Sequence, residues 1–225
     1  LKNYARIFTY NTFGHALWYT VLFTIVSVFA INILAFVVAM LLTKGIKGTN
    51  AFRTVFFMPN LIGGIVLGYI WQIILNGVLA HWGRTLTYSS KYGFWGLVIL
   101  MCWQQIGYMM IIYVAGIQNI PGDLIEAAKI DGATPSQILK NVTIPMVMPS
   151  ITICSFLTLT NSFKLFDQNL ALTAGEPANS SELLALNIFN TFYGRNGWEG
   201  VGQAKAVVFF VIVAVIAITQ NKITR

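Results

Sequence analysis

From Leu17 to Leu42 the chain runs without a single charged side chain. A helix needs about 20 such residues to cross the roughly 30 Å of hydrocarbon in a bilayer. Four further apolar runs follow: Val55–Leu79, Phe94–Ile117, Ile144–Phe163 and Val201–Thr219. Inside a bilayer every backbone amide must find its partner within the protein, so each run is expected to be an α-helix. The fold class this predicts is all-α: a polytopic integral membrane bundle of about five spans. Within the second run, Gly64 and Gly68 form a small-xxx-small pair, read as a close helix-packing face rather than a dimerisation motif.

Composition supports that class. The chain is 56% hydrophobic and only 9% charged, where a soluble domain carries about 25% charged residues. The net charge of +7 does not indicate nucleic acid, because the basic residues are scattered through short loops. Their distribution favours one orientation only weakly. Lys44, Lys47, Arg53, Lys129, Lys140, Lys222 and Arg225 fall on one side if the spans alternate. Lys2, Arg6, Arg84, Lys91, Arg195 and Lys205 fall on the other, so the first side is read as cytoplasmic by a small margin.

The most informative polar stretch is 121–145, set between the third and fourth apolar runs. Asp123, Glu126, Lys129, Asp131 and Lys140 require it to project into water. Pro121 suits a first helical turn, Asp123 and Glu126 suit the N-terminal dipole, and Gly132 is a stop signal. Thr134-Pro135-Ser136-Gln137 then reads as a capping box with proline at the first helical position. Two short helices joined at a glycine are expected.

The spacing Glu126-Ala127-Ala128, three residues, Gly132, nine residues, then Val142-Thr143-Ile144-Pro145 resembles the EAA loop of binding-protein-dependent ABC importer permeases. Val142 and Ile144 stand where the family pattern has isoleucine and leucine, which keeps the apolar character. The stretch from Phe166 through Leu172-Thr173-Ala174-Gly175-Glu176-Pro177 is similar to the "FD…LT-x-G-GP" segment of carbohydrate-type permeases, with Glu176 in place of a second glycine. The resemblance covers about Leu1 to Thr219. It implies one permease domain over 1–225, with a cytoplasmic coupling loop at about 118–145, the side that the basic residues also favour. It assigns ATPase coupling to Glu126, Ala127, Ala128, Gly132 and Pro145, and binding-protein contact to Gly175, Pro177 and Asn179. The implied partners are a second permease subunit, two ABC ATPase subunits, an extracytoplasmic sugar-binding protein and the lipid bilayer. The segment Leu1–Phe8 resembles one that follows a first span in sugar permeases, so a further N-terminal helix is expected before it.

The chemistry that this chain lacks fits a transport subunit. No G-x-x-x-x-G-K-[ST] occurs, so ATP and Mg are expected on a partner ATPase and no cofactor is expected here. His15 and His81 sit near expected outer membrane edges and build no metal or catalytic cluster. Cys102 and Cys154 lie in separate runs and are read as buried thiols rather than a disulfide.

Polar groups within spans usually face the bundle interior. Tyr69 and Gln72 in the second run, Trp103, Gln104 and Tyr108 in the third, and Asn161 and Lys164 in the fourth are the candidate substrate pathway. Amides with aromatics suit a neutral polyhydroxylated ligand, although interhelical hydrogen bonding explains each residue equally well. Lys164 and Asp167 read as an i, i+3 pair on one helix. Gly194, Gly197, Gly200 and Gly202 suggest a flexible outer loop. The leading reading is the membrane subunit of an ATP-driven sugar importer, not an enzyme, in the prokaryotic plasma membrane. An ABC permease for amino acids or peptides is an alternative. An ion-coupled secondary transporter is a further one, although it would want inverted repeats or a buried mid-span acid.

Overall fold

The structure, a computed structural model, describes residues 2–9, 12–45 and 47–223. Leu1 and Arg225 lie outside the described residues. Every regular element among the described residues is helical: α1 (Lys2–Thr9), α2 (Thr12–Leu42), α3 (Thr49–Phe57), α4 (Gly64–Ala80), α5 (Ser90–Gln118), α6 (Gly122–Ile130), α7 (Pro135–Ile138), α8 (Ile144–Phe163), α9 (Asp167–Leu172), α10 (Leu184–Tyr193) and α11 (Glu199–Ile223). Among the described residues, four helical stretches are long and apolar enough to cross a membrane: Thr12–Leu42, Ser90–Gln118, Pro135–Phe163 and Glu199–Gln220. The buried share of the apolar window is only 28%, 22% and 22% in the first, third and fourth. Such apolar surface, exposed along whole helices, calls for lipid or partner helices around it.

The second apolar run is not one straight span. α3 continues into a 3-10 turn at Met58–Leu61, and α4 leaves it at an angle of 102°. Pro59 lacks an amide proton and Gly63 and Gly64 hold a helix weakly, so the chain turns where these breakers cluster within the run. The fourth span also differs from expectation, because the helix begins at Pro135 rather than Ile144. A π-helical turn at Leu139–Thr143 joins α7 to α8. Pro145 cannot donate to the carbonyl four residues back, and the wider turn just before it relieves that loss. The second of the two expected short helices is therefore the first turn of a span.

The chain forms two interleaved compact units. The first contains 1–28, 62–102 and 159–225. There α4 packs on α9 at Gly64 and Gly68, where an added Cβ would lie 2.8 Å from Asp167 Cβ and 2.6 Å from Ala171 Cβ. These glycines serve close packing, as the small-xxx-small pair predicts. The glycines of the expected flexible loop are in part structural too. Gly200 and Gly202 lie inside α11, and a Cβ on Gly202 would fall 2.9 Å from Phe192 Cα. A core of Ile7, Phe13, Ala16, Leu184, Val201 and Ala204 ties α1, α2, α10 and α11 together.

The second unit contains 29–61 and 103–158. Tyr113 donates its hydroxyl to Asn32 Oδ1 (2.7 Å), and Asn32 Nδ2 donates to Thr158 Oγ1 (2.9 Å), linking α2, α5 and α8. Such an interhelical relay keeps three spans in register inside hydrocarbon. Gly107 marks a close backbone approach within this unit: a Cβ there would sit 1.8 Å from the Phe56 carbonyl oxygen.

Candidate functional site

α6 stands on the chain between two spans and is held as a discrete object. Asp123 in its first turn and Lys129 in its last complement the helix dipole. At its end Ala133 N donates to Ala128 O (2.9 Å) and Gly132 N to Lys129 O (3.1 Å). That pair of bonds is a Schellman motif, and it needs the left-handed φ of +77° that Gly132 supplies. Two residues later the expected capping box is present. Gln137 N donates to Thr134 Oγ1 (3.4 Å), and Thr134 N donates to Gln137 Oε1 (2.7 Å). Pro121, expected in the first helical turn, instead caps it from one residue before.

The faces of α6 are unlike. Ile125 is half-buried, while Leu124, Glu126 and Ala127 are exposed and Ile130 is 86% exposed. Leu124, Ala127 and Ile130 are spaced i, i+3, i+6 and form an apolar stripe in water beside the Glu126 carboxylate. Ala128 is half-buried and Pro145 is exposed in the first turn of α8. The family resemblance singled out Glu126, Ala127 and Ala128 and did not point to Leu124 and Ile130. Their shared spacing on a polar loop was the available signal.

The candidate pathway residues divide between the units. In the first, Tyr69 is 55% exposed, Asn161 half-buried and Lys164 exposed. Gln72 donates to the Leu172 carbonyl (3.0 Å), so its amide braces α9. In the second unit Gln104 is buried, Trp103 is 43% exposed and Tyr108 packs its ring 6.4 Å from Phe57. Lys164 and Asp167 do not share a helix, because α8 ends at Phe163 and α9 starts at Asp167. The backbone breaks there in a short turn, which removes the i, i+3 geometry on which that pairing depended.

The loop after α9 is rigidly braced. Asn169 donates to Ser181 O (2.9 Å) and accepts from Leu183 N (2.8 Å). Beyond it lies a buried charge relay that sequence reasoning missed. Lys205 donates to Asn187 Oδ1 (2.7 Å) and Thr191 Oγ1 (2.8 Å), and Asn187 donates to Glu182 (2.6 Å). Asn190 donates to the other Glu182 oxygen (2.6 Å), so two buried charges are satisfied through amides rather than by contact. Gly175 is buried, with room for a Cβ only 3.3 Å from Glu182 Cβ, whereas Asn179 is exposed and Pro177 half-buried. Asn179, Glu182, Asn190 and Arg195 line a small polar pocket of about 230 Å³. Both cysteines are free, and no group of three metal-ligating side chains occurs among the described residues.

The family model for the binding-protein-dependent transport system inner membrane component matches residues 31–224. The chain belongs to that family. It is thus a permease subunit of a binding-protein-dependent ABC importer in the inner membrane; ATP hydrolysis in such systems belongs to a separate subunit. Among curated relatives, it is 44% identical to the probable starch degradation products transport system permease protein AmyD of Thermoanaerobacterium thermosulfurigenes, over 100% of this chain and 80% of that one. It is 28% identical to the multiple sugar-binding transport system permease protein MsmF of Streptococcus mutans, again over 100% and 80%. Among solved structures, it is similar to a bacterial ABC transporter that imports the acidic polysaccharide alginate, with a TM-score of 0.85 at 19% identity, covering 100% of this chain and 83% of that one. A methionine ABC transporter gives 0.66 at 23% identity, covering 93% of each chain. Both matches are under 25% identical and speak to the fold alone.

Proposed function

We propose that this permease carries a neutral oligosaccharide, of the class of starch breakdown products, delivered by an extracytoplasmic solute-binding protein. The observation that carries this is the 44% identity to the AmyD permease along the whole chain. The amide and aromatic side chains of the candidate pathway support it. Gln104 and Asn161 offer hydrogen bonds to sugar hydroxyls, while Trp103, Tyr108 and Tyr69 offer flat rings to sugar C–H faces. Lys164 completes the proposed pathway, while Gln72 braces α9 through the Leu172 carbonyl. The chain pairs with a second permease subunit to form half of one translocation domain, and two ATPase subunits bind ATP and Mg. The α6 stripe, Leu124, Ala127 and Ile130 with Glu126, seats in a groove of the ATPase. Gly132 and Pro145 set the turn and the span that follow it. Asn179, on the braced loop held by Gly175 and Pro177, faces the binding protein.

Uptake tests the substrate. Vesicles holding the complete complex should accumulate labelled maltodextrin only with ATP inside and binding protein outside, and should not accumulate methionine. Methionine uptake with no maltodextrin uptake overturns the sugar reading. Labelling tests the orientation. A cysteine at Asn179 should react with an impermeant maleimide on intact cells and one at Lys129 only after the membrane is opened; the reverse pattern inverts the topology.

A further inference from the structure

The face of α6 turned away from its exposed stripe borders a cavity of about 850 Å³, within the roughly 300–1,000 Å³ typical of small-molecule sites. Its walls are the ends of three membrane helices. Met40 comes from the last turns of α2, Ile117 from the end of α5, and Ile138 from α7 at the start of the fourth span. Apolar side chains therefore line it at the ends of these helices.

Its charge is one-signed. Lys44, just beyond α2, and Lys129, on α6, both line the cavity and both are exposed. Ile125 and Lys129, four apart, put one face of α6 on this cavity. Asp123, Glu126 and Asp131 belong to the same segment, yet no carboxylate is among the lining residues. An apolar floor under two ammonium groups at a membrane boundary matches one ligand chemistry: an amphiphile with an anionic head. A soluble anion would leave the floor wet, and a neutral lipid would leave both cations without a counter-charge.

We infer that this groove is a site for an anionic phospholipid, with acyl chains against Met40, Ile117 and Ile138 and the headgroup phosphate between Lys44 and Lys129. Placing that lipid in the cytoplasmic leaflet rests on the orientation proposed above; the chemistry of the site does not. Because Lys129 belongs to α6, a bound headgroup braces the helix from behind while its opposite face meets the ATPase.

The test uses the complete complex, reconstituted into vesicles of phosphatidylcholine with or without phosphatidylglycerol, and native mass spectrometry to count retained lipids. The wild type should retain phosphatidylglycerol in preference to phosphatidylcholine. Lys44→Gln should lower that retention about fivefold, the effect of one lysine near an anionic headgroup, and Lys44→Arg should keep it. Equal retention of the two lipids, or an unchanged preference in Lys44→Gln, overturns the site. Displacement of phosphatidylglycerol by excess inorganic phosphate, with phosphate itself retained, assigns the groove to a soluble anion and also overturns it. Recovery of the ATPase is read in the same preparation. A wild-type permease that brings down no ATPase contradicts the coupling role of α6, while lipid retention on that permease is still measured.

Discussion

Replacing Gly107 by alanine should leave little correctly assembled permease in the membrane. The added Cβ would lie 1.8 Å from Phe56 O, 2.3 Å from Phe56 C and 2.7 Å from Phe57 N. All three are backbone atoms at the end of α3, where the chain is about to turn through the Pro59–Gly63 break, so no side chain can swing aside. Overpacking a core costs about 1–3 kcal/mol when side chains can adjust; here two helices must separate, and the cost should exceed that range. Gly77→Ala provides the control. Gly77 lies within α4, nothing approaches its Cβ position within 4 Å, and alanine there should be neutral or stabilise the helix by up to about 1 kcal/mol. Membrane yield and thermal stability in detergent should fall sharply for Gly107→Ala and hold for Gly77→Ala. Equal behaviour of the two would contradict the close approach of α3 and α5.

That contact also marks a limit of what the amino-acid order reveals. An uncharged run predicts a helix of spanning length, and α2 and α5 follow it because hydrocarbon leaves the backbone no other choice. The same run cannot distinguish a straight span from a bent one, so α3 and α4 were legible as apolar but not as a pair at 102°. Pro59 and Gly63 were the relevant residues, yet breakers are tolerated in many membrane helices where neighbours re-satisfy the freed groups.

The candidate coupling segment was legible for a local reason. Capping and turn chemistry act within four residues, so Gly132 and the Thr134–Gln137 box could be placed without knowing any neighbour. The pathway residues depend on helix rotation, which no local signal sets. Gln72 is occupied by the Leu172 carbonyl, and Asn32, one amide in a long apolar helix, joins Tyr113 and Thr158 across three spans. The Glu182–Asn187–Lys205 relay was hidden for the same reason: Lys205 looked like a loop charge at a membrane edge, whereas the fold buries it.

The largest functional effect is expected at Gly132. Its Cβ position meets nothing within 4 Å, so a side chain there disturbs no packing within the chain. Its φ of +77° does cost a substituted residue about 1 kcal/mol, and that strain acts on the Schellman motif that ends α6. Gly132→Asp should therefore spare the spans and misplace α6 together with Leu124, Ala127 and Ile130. The decisive measurement is made on the reconstituted complex, with ATP hydrolysis and maltodextrin uptake followed in the same vesicles under liganded binding protein. The wild type should couple the two. Gly132→Asp, at equal permease content, should either lose the ATPase or hydrolyse ATP with uptake reduced about fivefold or more, as expected for about 1 kcal/mol lost at the contact. Normal ATPase recovery, hydrolysis and uptake in Gly132→Asp would contradict the assignment of this helix as the element that transmits ATP-driven motion to the membrane spans.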